Sequence, residues 1–200
     1  MPAAAVVDYY FALNSPWTYL GSARLEEIAR RHGATVRVKP TRLGEVFGRT
    51  GGVPLPKRAP ERQRYRLVEL ERWSAFLGVP LVLQPTHFPN DETRAVHLIL
   101  AAQAAGADAL PLATALGRQL WELDRPFADP ATLAAAADSC GLDAEALLAA
   151  ADPAQLDAAW TRNTEEAVAA GVFGAPSYVV EGEIFWGQDR LDFLERRLAG

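Results

Sequence analysis

The residues Tyr9-Tyr10-Phe11-Ala12-Leu13-Asn14-Ser15-Pro16-Trp17-Thr18-Tyr19-Leu20-Gly21 decide how the rest of the chain is read. Before them, Val6 to Ala12 is a short apolar run rich in β-branched and aromatic side chains, the pattern of a buried strand. After them, Trp17, Gly21, Leu25 and Ile28 recur at helical spacing, with Arg24, Glu26, Glu27, Arg30 and Arg31 between. Ser15-Pro16 joins the two, an N-cap oxygen followed by a residue pre-set for the first helical turn. A strand that delivers a hydroxyl to a helix N-terminus aims it, with unpaired backbone N–H groups, at one point suited to an anion. The plainer reading is that Ser15 is an ordinary cap.

Gly33 predicts the stop of this helix, and Val36 and Val38 alternate with Thr35, Arg37 and Lys39 in a second strand that Pro40 ends. Strand, helix and strand in close succession form a βαβ unit with a right-handed crossover. No strand signal follows until Ser177. The spacing instead predicts a long irregular loop over Gly48–Pro60 and helices over Tyr65–Leu77, from Asn90 or Asp91 to Ala105, and over Ala109–Leu123. Asp129-Pro130, Asp143 and Asp152-Pro153 then open three more helices, the last ending at Gly171. Ser177–Val180 and Glu183–Trp186 flank Glu181-Gly182 as a hairpin, and a last helix starts near Asp189. The expected fold is α/β: a thioredoxin-like layer (β-α-β … β-β-α) from residues 1–42 and 172–200, interrupted by an all-helical insertion, 43–171. The binding pocket is expected between these two modules.

Composition narrows the partners. The formal charge of −5 comes from scattered residues, which argues against nucleic acid and anionic membrane. Arg58, Arg62, Arg64 and Arg66 are broken by Glu61, Glu69 and Glu71 and read as a solvated helix face. The first residues lack a signal-peptide pattern, no apolar run approaches membrane-spanning length, and the single Cys140 cannot form an internal disulfide; the expected location is the cytoplasm. Cys140 reads as a small buried apolar residue, Phe185 and Trp186 as core, and Trp121 as packing between inserted helices. His32, His87 and His97 lack metal-ligand spacing, so no metal is expected.

Gly171-Val172-Phe173-Gly174-Ala175-Pro176 leads into the hairpin, where a proline at a strand start is tolerated. Given Ser15 and the order of elements, Ala175-Pro176 is expected to be cis and to face the start of the first helix.

In these features the sequence resembles the 2-hydroxychromene-2-carboxylate isomerases, relatives of the DsbA proteins and of kappa-class glutathione transferases. The resemblance rests on Ser15 to Leu20, Lys39-Pro40, Tyr65 with Glu69-Leu70 and Arg72-Trp73, Gly171 to Pro176, and Phe185 to Leu191, and covers essentially the whole chain. It implies a glutathione-dependent cis-trans isomerase acting on an aromatic acid, cytoplasmic and homodimeric. By the same resemblance Ser15 is the catalytic residue that holds the thiol of glutathione. Ala175, before Pro176, pairs with its cysteinyl unit, and Gln188 and Asp189 hold its γ-glutamyl end. The relatives' Cys-x-x-Cys reads Ser15-Pro16-Trp17-Thr18 here, which excludes dithiol chemistry. The family's Lys and Asp around the tyrosine are Arg62 and Glu69, which keep the charges with a different reach. Asp189 also reads as an ordinary cap of the last helix. A kappa-like transferase that conjugates electrophiles, and a cysteine-free thioredoxin-like binding domain, are the alternatives.

Overall fold

The computed structural model describes residues 4–200. β1 (Val6–Phe11) is followed by α1 (Pro16–His32) and β2 (Thr35–Pro40). The strands Val6 to Phe11 and Thr35 to Pro40 run parallel, residue for residue, so the crossover is the helix that Ser15-Pro16 starts. Helices α2 (Leu43–Thr50), α3 (Pro60–Leu77), α4 (Thr93–Ala104), α5 (Ala109–Trp121), α6 (Pro130–Asp138), α7 (Ala144–Ala150) and α8 (Pro153–Ala169) come next. The hairpin β3 (Ser177–Val180) and β4 (Glu183–Trp186) then completes a four-stranded sheet in the order β2-β1-β3-β4, and α9 (Leu191–Ala199) closes the chain. The architecture is the expected thioredoxin-like α/β fold with helices inserted between β2 and β3.

β1 is central and buried on both faces, which is why it reads as a continuous apolar run rather than as an alternation. Val7, Tyr9 and Phe11 face the main core, where the Tyr9 ring stacks on Phe11 at 4.7 Å and on Tyr178 at 5.4 Å. Tyr10 faces the other way, against Ala167, Val172 and Val179. α1 covers the first face, and its Ser22 Oγ lies 3.0 Å from Tyr9 Oη. The hairpin turn has positive φ at Glu181 (50°) and Gly182 (86°), the two-residue geometry whose twist matches the flanking strands.

Two expectations need correction. The stretch Gly48–Pro60 is not one irregular loop: α2 runs to Thr50, and a short 3₁₀ turn spans Leu55–Lys57. α3 begins at Pro60, five residues before the expected start, because Pro60 is itself the first helical residue. Its apolar residues divide between two faces, with Trp73 and Leu77 packed against the core. Tyr65 is 60% exposed, Val68 41% and Phe76 79%, while Leu70 is the fully buried residue of the helix. Helical spacing identifies a shared face but not what that face meets.

Smaller differences follow the same lines. α4 is capped at Glu92, with Asp91 Oδ1 accepting from Thr93 N at 3.0 Å. Cys140 is part-exposed rather than buried. Trp121 is fully buried among the inserted helices as expected, and its Nε1 donates to Leu13 O at 2.9 Å, tying the insertion to the end of β1. No helix among the described residues is long and apolar enough to cross a membrane.

Candidate active site

Ser15 is the N-cap of α1, 4% exposed, with extended backbone (φ −96°, ψ 115°). Its Oγ accepts from Thr18 N at 3.3 Å and donates to Ala175 O at 3.1 Å. The second bond crosses from the start of α1 to the loop before β3, and the Ala175-Pro176 peptide is cis. The helix terminus has fewer free donors than the sequence implies. Pro16 has no N–H and Ser15 takes that of Thr18, which leaves Trp17 N as the unpaired donor of the first turn. Thr18 buries its hydroxyl without a hydrogen-bond partner among the described residues.

The 3₁₀ turn Gln188–Arg190 sits against α1. Gly21 allows the approach, since a Cβ there would stand 2.9 Å from Gln188 Cβ and 2.8 Å from Tyr178 Oη. Gln188 is buried, and Arg24 of α1 donates to both its backbone O (3.2 Å) and its Oε1 (3.0 Å). Arg24 also pairs with Asp192 at 2.9 Å. This fixes the Gln188 amide with its NH₂ uncommitted. The adjoining Gly187 N donates to Pro176 O at 2.9 Å, which ties the cis-proline loop to the 188–190 turn. Asp189 is not a helix cap: no side-chain cap bond is made there, and its part-exposed carboxylate lies 3.4 Å from Arg190.

The segment before Ser15 is clamped from the insertion. Asn14 and Asn90 exchange bonds, Asn14 Nδ2 to Asn90 O at 2.8 Å and Asn90 N to Asn14 Oδ1 at 2.9 Å. Asn14 N donates to Glu92 Oε2 at 3.0 Å. Burial of the Glu92 carboxyl raises its pKa to about 7, with the Asn14 and Leu13 N–H groups and Arg42 pulling the other way. Glu92 is half-buried as a residue, with its carboxyl turned inward onto Asn14 N.

The structure therefore brings Ala175 and Pro176 to Ser15 at the start of α1. The Gly187 N–Pro176 O bond links them to the turn of Gln188 and Asp189, which lies against Gly21 and Arg24 further along the same helix. Arg62 stands apart on the exposed first turns of α3, without an acidic partner among the described residues. Glu69 pairs with Arg72 at 2.7 Å instead. Trp186 is 51% exposed rather than core, its ring edge-on to Phe173 at 4.7 Å beside the cis-proline loop.

Two clefts are prominent, and neither is lined by Ser15. One, of about 490 Å³, lies between the far half of α1 and the start of α5, lined by Glu26, Glu27 and Asp108 among others. The second, of about 450 Å³, is confined to the insertion, between α3 and the segment 83–88, and both Arg64 and Arg66 line it. That corrects the solvated-face reading for one residue. Arg64 does pair with Glu61 at 3.0 Å in solvent, whereas Arg66 is half-buried. Sequence reasoning also missed Arg24, Asn14, Asn90 and Glu92, whose partners are distant in the chain. Among the described residues no group of three or more His, Cys, Asp or Glu could hold a metal.

The family model of the DsbA-like thioredoxin domain matches residues 6–199. The chain is 32% identical over 194 residues to a 2-hydroxychromene-2-carboxylate isomerase of Sphingobium xenophagum, with 96% of this chain and 97% of that protein covered. It is 26% identical over 219 residues to glutathione S-transferase kappa 2 of Caenorhabditis elegans, covering 100% and 96%. A solved 2-hydroxychromene-2-carboxylate isomerase structure superposes with a TM-score of 0.80 at 26% identity, over 97% of this chain and 94% of that one. The chain belongs to the DsbA-like thioredoxin family, in the branch of the 2-hydroxychromene-2-carboxylate isomerases.

Proposed function

We propose that the protein is a glutathione-dependent cis-trans isomerase that interconverts 2-hydroxychromene-2-carboxylate and trans-o-hydroxybenzylidenepyruvate, or a related aromatic acid. The observation that carries this reading is the buried bond from Ser15 Oγ to Ala175 O. A hydroxyl and a backbone acceptor beside a cis-proline are the two groups that a cysteinyl unit needs. The other residues fit the tripeptide as well. The Gln188 amide keeps its NH₂ free, and the part-exposed Asp189 carboxylate suits an ammonium group. Arg62, apart on α3 and without an acidic partner among the described residues, is the group we assign to a terminal carboxylate of the ligand.

When bound, glutathione supplies a thiolate that adds reversibly to the double bond conjugated with the substrate carbonyl, making it rotatable, and leaves unconsumed. The task of the chain is to keep that thiolate available at neutral pH. Lowering a thiol pKa by one to two units requires about 1.4 to 2.7 kcal/mol. A hydrogen bond from the Ser15 hydroxyl to a charged sulfur contributes roughly 1.5 to 3 kcal/mol. The α1 N-terminus adds about 0.3 to 1 kcal/mol, more where partly buried. Together these suffice without a general base at sulfur. Ser15 must turn its proton from Ala175 O to the sulfur, and Ala175 O then accepts the ligand's cysteinyl N–H in exchange.

Two further parts of the proposal concern assembly and location. The exposed Tyr65, Val68 and Phe76, with Arg72, form one face of α3 at i, i+3, i+7 and i+11. Such a row suits a second copy of this chain, so we propose a homodimer. A lone thiol, Cys140, and glutathione chemistry both fit the cytoplasm.

The whole-length similarity to a kappa-class transferase supports a second reading, conjugation of electrophiles at the same site. The third is a binding domain without turnover. Calorimetric titration with glutathione, followed by an isomerisation assay on the chromene carboxylate, tests the proposal. Binding with turnover supports it, and absence of glutathione binding would leave the binding-domain reading standing.

A further inference from the structure

Arg66 is a cavity-lining charge without an ion-pair partner among the described residues. Its acidic neighbours on α3 are taken: Glu61 by Arg64 at 3.0 Å and Glu69 by Arg72 at 2.7 Å. No carboxylate among the described residues pairs with Arg66, although it is half-buried. Its guanidinium lies 5.7 Å from the centre of the Phe88 ring. Burial, and then the charge of Arg58, lower its pKa to about 10. A partly desolvated cation next to like charge is costly unless an anion joins it.

The cleft it lines, about 450 Å³, has Leu55, Leu67, Leu83, Pro85 and Phe88 in its walls beside Gln63, Gln84 and a second cation, Arg64, whose charge Glu61 meets. The volume is in the range of small-molecule clefts, roughly 300–1,000 Å³. Apolar surface beside one cation that has no carboxylate partner among the described residues suits a flat, hydrophobic molecule bearing one carboxylate. The cleft wall is also fixed to the strand end that carries Ser15. Phe88 packs on Trp121 with ring centres 5.2 Å apart, and Trp121 Nε1 donates to Leu13 O at 2.9 Å. Asn90, two residues after Phe88, pairs with Asn14.

We propose that the cleft between α3 and the 83–88 segment is a recognition site for planar aromatic carboxylates, with Arg66 as the residue that selects the carboxylate and Phe88 as the face on which the ring rests. The site deepens the function proposed above and rests on the reading that the substrate is an aromatic acid. It assigns substrate selection to a residue of the insertion, separate from the groups that hold glutathione.

The test is equilibrium binding of chromone-2-carboxylate, a stable flat bicyclic acid, and of the uncharged chromone-2-carboxamide. Both are titrated with and without glutathione against the full chain, Arg66→Gln and Arg66→Lys. The expected result is that the unaltered protein prefers the acid and that Arg66→Gln weakens acid binding roughly 10- to 100-fold, the loss of one charge-assisted contact. Amide binding stays within about twofold, and Arg66→Lys recovers part of the preference with less reach and no fork. Melting temperatures guard against misfolding, and the lysine variant serves if the glutamine variant is unstable. Equal loss of acid and amide, or acid binding indifferent to Arg66, overturns the proposal. Glutathione calorimetry on the same samples separates the two ideas. Failure to bind glutathione strikes the isomerase reading, whereas loss of the Arg66-dependent acid preference strikes this site alone.

Discussion

Replacing Ser15 with Ala removes one oxygen that makes two bonds, and their sum can be worked out. Thr18 N loses its cap acceptor at 3.3 Å, which costs ~1 kcal/mol. Ala175 O loses its donor at 3.1 Å and is left buried, at about 1 to 3 kcal/mol. The total of roughly 2 to 4 kcal/mol corresponds, for a chain of this length, to a fall in Tm of about 4 to 15 °C. In the complex with glutathione the same substitution removes the donor to the sulfur. The thiol pKa rises, and a thiolate-limited step slows roughly ten- to 150-fold. Affinity for glutathione changes much less, because the contacts proposed for Arg62, Ala175, Gln188 and Asp189 do not involve the hydroxyl. The assay is ultraviolet thiolate absorbance of bound glutathione against pH, with melting curves in parallel. A lower Tm with an unchanged thiolate pKa would reduce Ser15 to a cap and a loop tether, and refute its catalytic role.

Two further outcomes follow from the surroundings. Glu92 is raised to about 7 from an ordinary 4.5, so its neutral form is the one the fold prefers. Its contribution to stability is full below pH ~4.5 and is lost as pH rises through about 7. Glu92→Gln keeps a carbonyl for Asn14 N and should flatten that fall, gaining about 1 to 3 kcal/mol at pH 8 relative to the unaltered chain, as denaturant melts at pH 5 and pH 8 can show. Gly187→Ala places a Cβ 2.5 Å from Asp189 Oδ1 at a residue with φ 102°, so it should displace the Asp189 carboxylate and weaken glutathione binding about tenfold by calorimetry while leaving the hairpin folded.

The sheet and most helix ends were legible in the sequence because local chemistry sets them. Ser15-Pro16, Asp129-Pro130 and Asp152-Pro153 are each a cap followed by a proline, and each opens a helix there. Glu181-Gly182 makes the turn its residues favour. Legibility failed where tertiary context decides. The spacing of Tyr65–Leu77 announces a helix but not that Tyr65, Val68 and Phe76 point outward while Trp73 and Leu77 pack on the core. Arg66 carries the same signature as Arg64 and both line the cleft, and only its burial beside Phe88 distinguishes it. Asn14 with Asn90, and Arg24 with Gln188, are separated by 76 and 164 positions, and no local pattern links such pairs.

The central claim is that glutathione is borrowed and returned. Proton NMR of the purified chain with a known amount of glutathione and a tenfold excess of 2-hydroxychromene-2-carboxylate tests it directly. The account predicts that trans-o-hydroxybenzylidenepyruvate accumulates to equilibrium over many turnovers per glutathione, with the free thiol signal intact at the end and no reaction when glutathione is left out. Stoichiometric loss of the thiol into a stable adduct, or isomerisation at the same rate without glutathione, would contradict it.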